Sequence, residues 1–247
     1  MAQWNEPRPD LTGFGAKPGS MGGLDARTTF DEGLRRHMLS IYNYMTSGVL
    51  LSGIVAMLAA NSGLALAMMG SPLRWLVILS PIAIVFAMSF GANKFSKTAL
   101  QAMFWTFAVL MGLSLSTIFL VYTGGSIAAT FFATAAAFAG LSLFGYTTKK
   151  SLSGWGSFLI MGVVGLLVAS VVNIFLQSPA LMYAVSFLGV LIFAGLTAYD
   201  TQRLKEEYAY LKGTEFAGKA VILGALSLYL DFINMFQFLL AFLGNRE

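Results

Sequence analysis

Ala225-Leu226-Ser227-Leu228-Tyr229-Leu230-Asp231-Phe232-Ile233-Asn234 decides how this chain is built, because an aspartate stands near the middle of the long apolar run 219–243. An ionised carboxylate at the centre of a bilayer-spanning helix costs about 2.5–3.5 kcal/mol on insertion scales. Such a residue needs a partner, a proton or a water-filled cavity. One other stretch offers a partner: Thr197-Ala198-Tyr199-Asp200-Thr201-Gln202, close to the end of the preceding apolar run.

The rest of the chain sets the solvent in which these residues work. Of 247 residues, 57% are hydrophobic and 11% charged, with a mean hydropathy of +0.75. A soluble domain carries about 25% charged residues. The composition therefore indicates a multi-pass membrane protein with one domain in the bilayer. Spans are expected near 39–60, 75–92, 99–121, 126–145, 156–176, 180–204 and 219–243, each close to the roughly 20 residues that cross about 30 Å of hydrocarbon. Pro81 falls inside the second span and predicts a kink. Small residues crowd the fourth, where helices can approach closely. Trp75, Trp155, Tyr42, Tyr122, Tyr146 and Tyr183 lie near span ends, as an interfacial aromatic belt would.

An odd number of spans puts the two ends on opposite sides. On the N-terminal side lie Arg27, Arg35, Arg36, Lys94, Lys97, Lys149, Lys150, Arg203, Lys205, Lys212 and Lys219, against Arg74 and Arg246 on the other. The excess of positive charge predicts a cytoplasmic N-terminus and an external C-terminus. The net charge of +4 is thus a topology signal; the basic residues form no stripe that would suit nucleic acid. Arg35-Arg36 precede the first run, but about 20 apolar residues exceed a signal-peptide core, so it reads as a retained anchor. Residues 1–33, with Pro7, Pro9, Pro18 and several glycines, lack a buriable apolar face and are expected to form a mobile cytoplasmic tail ahead of a membrane domain over 34–247. The chain has no cysteine and a single histidine, His37, so no disulfide, thiolate site or histidine cluster is available.

The midpoint between Asp200 and Asp231 falls at Glu215-Phe216, in the polar stretch 212–218 that reads as a turn. If the sixth span continues as helix to about Leu211, both carboxylates sit roughly 17–20 Å from that turn, at similar depth. Ser227, Asp231 and Asn234 share one face of the last helix, and Thr197 and Thr201 flank Asp200. These polar faces are expected to point into the bundle. Two carboxylates about 4 Å apart would repel by about 4 kcal/mol at an effective dielectric near 20. They would then share a proton and titrate as a unit.

At these residues the sequence resembles the Bax inhibitor-1, or transmembrane Bax inhibitor motif, family. The words that carry the resemblance are 197–202 and 225–234, and it covers roughly residues 34–244. It implies an all-α bundle of seven transmembrane helices with the last helix central, in the inner membrane of a bacterium. It also implies calcium leak sensed by a pH-responsive aspartate pair, which by motif position is Asp200 and Asp231. Some bacterial members carry an arginine late in the second span that bonds to the aspartates; here 86–93 reads Phe-Ala-Met-Ser-Phe-Gly-Ala-Asn, without one.

Three functions compete on this sequence. The first is a pH-sensitive cation leak through the bilayer, with calcium as cargo. Calcium takes six to eight oxygen ligands, so Asp200 and Asp231, supported by Ser227, Asn234, Thr197 and Thr201, would hold it only transiently, with no resident metal or cofactor. The second is a regulatory protein that binds and inhibits a membrane-anchored AAA protease, a role linked to some bacterial relatives. The third is an intramembrane aspartyl protease, which also pairs Tyr-Asp with an Asp on the next helix. Against it, Leu228-Tyr229-Leu230-Asp231 lacks the Gly-x-Gly-Asp of that class, and Pro179-Ala180-Leu181 precedes the pair instead of following it. The sequence is read as a non-enzyme.

Overall fold

The computed structural model describes the backbone of residues 21–245 and the side chains of residues 31–245. Within these bounds the chain is helical, with no strand: α1 (Met21–Asn61), α2 (Leu64–Met69), α3 (Leu73–Gly91), α4 (Lys97–Leu115, continued by a 3-10 turn Ser116–Leu120), α5 (Gly124–Thr147), α6 (Ser153–Leu176), α7 (Pro179–Leu211) and α8 (Ala217–Leu243). Among the described residues seven helices are long and apolar enough to cross a membrane, and each overlaps one of the seven expected spans. Residues 1–20 of the expected tail lie outside the described residues. Residues 21–33 are helical and open α1. Beyond Pro18 nothing in this stretch forbids helix, and Leu24, Ala26 and Arg27 favour it. The bundle itself is formed from His37 onward.

Helix α8 is the axis. Half of its span is buried, against 11–33% for the other six. Its neighbours can be read residue by residue. Tyr229 meets Phe104 and Phe107 of α4 edge-on, and Phe232 meets Phe131 and Phe138 of α5 in the same way. Gly224 lets Ile41 of α1 and Leu204 of α7 close over it, and Gly189 of α7 takes the ring of Phe238. The Tyr229 hydroxyl, fully buried, lies 2.6 Å from Ser52 Oγ on α1, and the Ser52 hydroxyl donates to Ala108 O of α4 at 2.6 Å. One buried polar knot therefore ties α1, α4 and α8, and its groups are satisfied internally as a lipid environment demands.

Two further features follow from the absence of water. Pro81 sits inside α3 without ending it. A proline cannot donate to the carbonyl four residues back, and that carbonyl, Val77 O, accepts instead from Ser114 Oγ of α4 at 2.7 Å. Lys205 Nζ donates to Tyr146 O at the end of α5 (2.7 Å), and Lys219 Nζ to Ala92 O just past α3 (3.3 Å). Both cations thus sit at helix C-termini, where the helix dipole favours them. Trp75, Trp155 and Tyr183 are exposed near helix ends, as belt residues should be. The α7–α8 connection turns at Gly213, whose φ of +81° suits glycine.

Candidate functional site

The last turns of α7 distribute their polar side chains among different neighbours, because successive helical residues point about 100° apart. Tyr199 reaches α6, where Gly156 leaves room for its ring. Thr201, fully buried, pairs with Tyr42 OH of α1 at 3.4 Å. Gln202 holds the α5–α6 loop from both sides: its Oε1 accepts from Leu152 N at 2.6 Å and its Nε2 donates to Lys150 O at 2.9 Å. Asp200 and Asp231 are both buried, at 7% and 4% exposure, and lie within electrostatic reach of each other and of Arg203.

Arg203 is the group that the sequence reading missed. It follows Asp200 by three residues, so both project from one side of α7. Its Nη2 stands 3.3 Å from Asp200 Oδ1 and donates across to Ser227 Oγ of α8 at 3.4 Å. Its Nε lies 3.5 Å from Glu207 Oε1, yet makes no hydrogen bond: the two charges face each other without alignment. The guanidinium also lies 5.9 Å from the Tyr199 ring centre. The Arg203 side chain is 39% exposed, so the site is not sealed at this arginine. From the sequence, Arg203 counts only among the basic residues that set topology. Its i, i+3 spacing from Asp200 was the available signal. No arginine stands late in the second span, and the cation beside the pair comes from the helix that carries Asp200.

The supporting residues separate. Ser227 belongs to the site, through Arg203. Thr197 spends its hydroxyl on its own helix, donating to Phe193 O at 2.8 Å, and Thr201 faces α1. Asn234 donates to Leu230 O at 2.8 Å and lines a different space, a cavity between α6, α7 and α8. The single polar face expected for Ser227, Asp231 and Asn234 thus divides between two environments. Asp231 is left with a buried Oδ2 that has no hydrogen-bond partner among the described residues. A buried carboxylate oxygen of that kind calls for a proton, a water or a cation.

Residues 34–247 match the family described as inhibitor of apoptosis-promoting Bax1. Inner membrane protein YbhL of Escherichia coli K12 is 46% identical over 219 residues, covering 87% of this chain and 94% of the relative. An uncharacterized protein of Caulobacter vibrioides is 49% identical over 235 residues, with 90% and 94% covered. Uncharacterized protein RP147 of Rickettsia prowazekii is 43% identical over 221 residues, with 89% and 93% covered. With the match running through all seven membrane-length helices and both aspartate-bearing motifs, the chain belongs to the Bax inhibitor-1 family of membrane proteins.

Proposed function

We propose that the protein is a pH-sensitive calcium leak in which Asp200 and Asp231 form the ion-path and sensing pair. The observation that carries this reading is the charge arithmetic of the site. Two buried aspartates face a single, partly exposed arginine, and one carboxylate oxygen of Asp231 is unpartnered. Deprotonated, the pair outnumbers its guanidinium and holds a net negative charge inside the bundle. A proton removes that charge. A cation arriving from solution satisfies it, with Ser227 as a further oxygen. In this reading calcium is cargo held briefly on carboxylate and water oxygens.

Arg203 occupies the place such a cation would take, between Asp200 and Ser227. Its exposure lets it exchange those partners for water, so it acts as a tethered competitor of the passing ion. The pair titrates as a unit, so flux varies with pH. The test is calcium entry into liposomes holding the purified protein, for wild type, Asp200→Asn and Asp231→Asn. Asparagine keeps the shape and removes the titration. Both single variants are expected to flatten the pH profile, and the double variant to add little to either. PH-dependent wild-type flux that both variants retain would place the sensor elsewhere. Absence of wild-type calcium flux at every pH would remove the leak reading altogether.

A further inference from the structure

A second space, with a mixed polar and apolar lining, lies in the half of the bundle away from the α7–α8 turn. It is a half-open cavity of about 320 Å³ between α6, α7 and α8, lined by Ser170, Asn173, Ser186, Asn234 and Gln237 and by apolar side chains of α7 and α8, with no charged side chain. Uncharged polar side chains at membrane depth face the bundle interior or a water-filled cavity. A space of this size has room for several waters. How these groups spend their protons gives the cavity its character. Ser186 donates its hydroxyl proton to Met182 O at 2.8 Å, and Asn234 gives its amide to Leu230 O at 2.8 Å. The Ser186 hydroxyl oxygen and the Asn234 carboxamide oxygen are left to accept, while Asn234 keeps one further N–H. Asn173 is the exception, since its Oδ1 already accepts from Ser178 N at 3.0 Å. Ser170 and Gln237 add a hydroxyl and a carboxamide. Asn234 stands one turn of α8 from Asp231, about 4.5 Å along the axis.

We propose that this cavity is a hydrated vestibule that takes a divalent cation on neutral oxygens, one helical turn from the aspartate pair. The assignment of calcium as that cation rests on the leak reading above. Hydroxyl and carboxamide oxygens are hard ligands suited to calcium. Without a counter-charge they replace few of its waters and hold it weakly, so an ion can enter and leave. The carboxylates deeper in the bundle supply the charge that draws it on.

The chain has no cysteine, so introduced thiols report cleanly. Gln237→Cys and Ser170→Cys would be prepared in the full-length protein in liposomes, with reagent applied from both sides. Leu167→Cys, on the exposed apolar face of α6, serves as the lipid-facing control. Both cavity thiols are expected to react with a cationic methanethiosulfonate at least tenfold faster than with an anionic one of similar size. Millimolar calcium should slow that reaction severalfold, and the control should stay unmodified. Cavity thiols that react no faster than Leu167→Cys would show a dry space, and preference for the anionic reagent or indifference to calcium would refute the cation assignment. Gln237→Leu should lower calcium flux severalfold while leaving its pH profile in place. Labelling is read without flux, so a protein that passes no calcium yet shows a cation-selective, calcium-protected cavity overturns the leak and leaves the vestibule standing.

Discussion

Replacing Arg203 by glutamine tests the tethered-competitor mechanism directly. Its Nη2 lies 3.3 Å from Asp200 Oδ1. Two unit charges at that distance attract by about 1.3 kcal/mol at the dielectric of water and about 5 kcal/mol at an effective value near 20. The arginine side chain is 39% exposed, so solvent screening brings the interaction toward the lower figure. A calcium ion that displaces the guanidinium must overcome at least that attraction. Removing the guanidinium should therefore lower the calcium concentration for half-maximal flux by about tenfold, since about 1.4 kcal/mol corresponds to a factor of ten. Arg203→Lys keeps the charge and should stay within about threefold of wild type. The assay is initial calcium entry into liposomes as a function of calcium, at one pH and constant ionic strength. A half-saturation unchanged in Arg203→Gln, with the protein folded and flux intact, would refute competition between Arg203 and the ion.

Orientation is the next test: Gly125→Cys and Gln177→Cys should label from outside the cell and Ser151→Cys from inside, all three positions being exposed; a reversed pattern would overturn the positive-inside assignment. Gly125 is preferable to its neighbour because Ser126 Oγ accepts from Asn245 N at 3.0 Å. Gln202→Leu should destabilise the protein by about 2 kcal/mol, through loss of two hydrogen bonds to the α5–α6 loop at about 1 kcal/mol each. Gln202→Glu, which keeps only the acceptor, should recover part of this in a thermal melt. Gly145→Ala should cost about 1–3 kcal/mol, because a Cβ there would press on the Ala198 carbonyl of α7. Gly140→Ala, where nothing lies within 4 Å, should be neutral or stabilising by up to about 1 kcal/mol from helix propensity, and equal melting shifts for the two would refute the packing argument.

The number of spans was legible because the bilayer imposes length and apolarity on each crossing helix, and little else satisfies both. Helix rotation was not legible in the same way. In water an amphipathic stripe reports which face is buried, but here lipid and protein interior are both apolar. Phe132 and Phe175 face outward while Phe104 and Phe107 are fully buried, and nothing in their composition separates them. Polar residues were the available markers of rotation, and they pointed correctly only as far as "inward". Asp231 and Asn234, three residues apart, were read as one face, yet they serve different spaces. Gly140 and Gly145 looked alike, yet only Gly145 touches another helix. Arg203 was hidden because a charged run at a span end has an ordinary explanation in the membrane interface.

What the motif Thr197–Gln202 specifies is therefore broader than a carboxylate. Tyr199 engages α6, Thr201 engages α1, and Gln202 fixes the α5–α6 loop, while Lys205, one turn on, caps α5. Moving α7 as a body to open the site would break these attachments together, each worth about 0.5–1.5 kcal/mol net and more where a buried group is left unpaired. Arg203 is under no such constraint. Its bonds to Asp200 and Ser227 are long, at 3.3 and 3.4 Å, its pair with Glu207 is unaligned, and solvent is at hand to receive it. The lowest-cost rearrangement at the aspartate pair is thus a swing of one arginine side chain away from Asp200 and Ser227, within a helix that its other residues hold still.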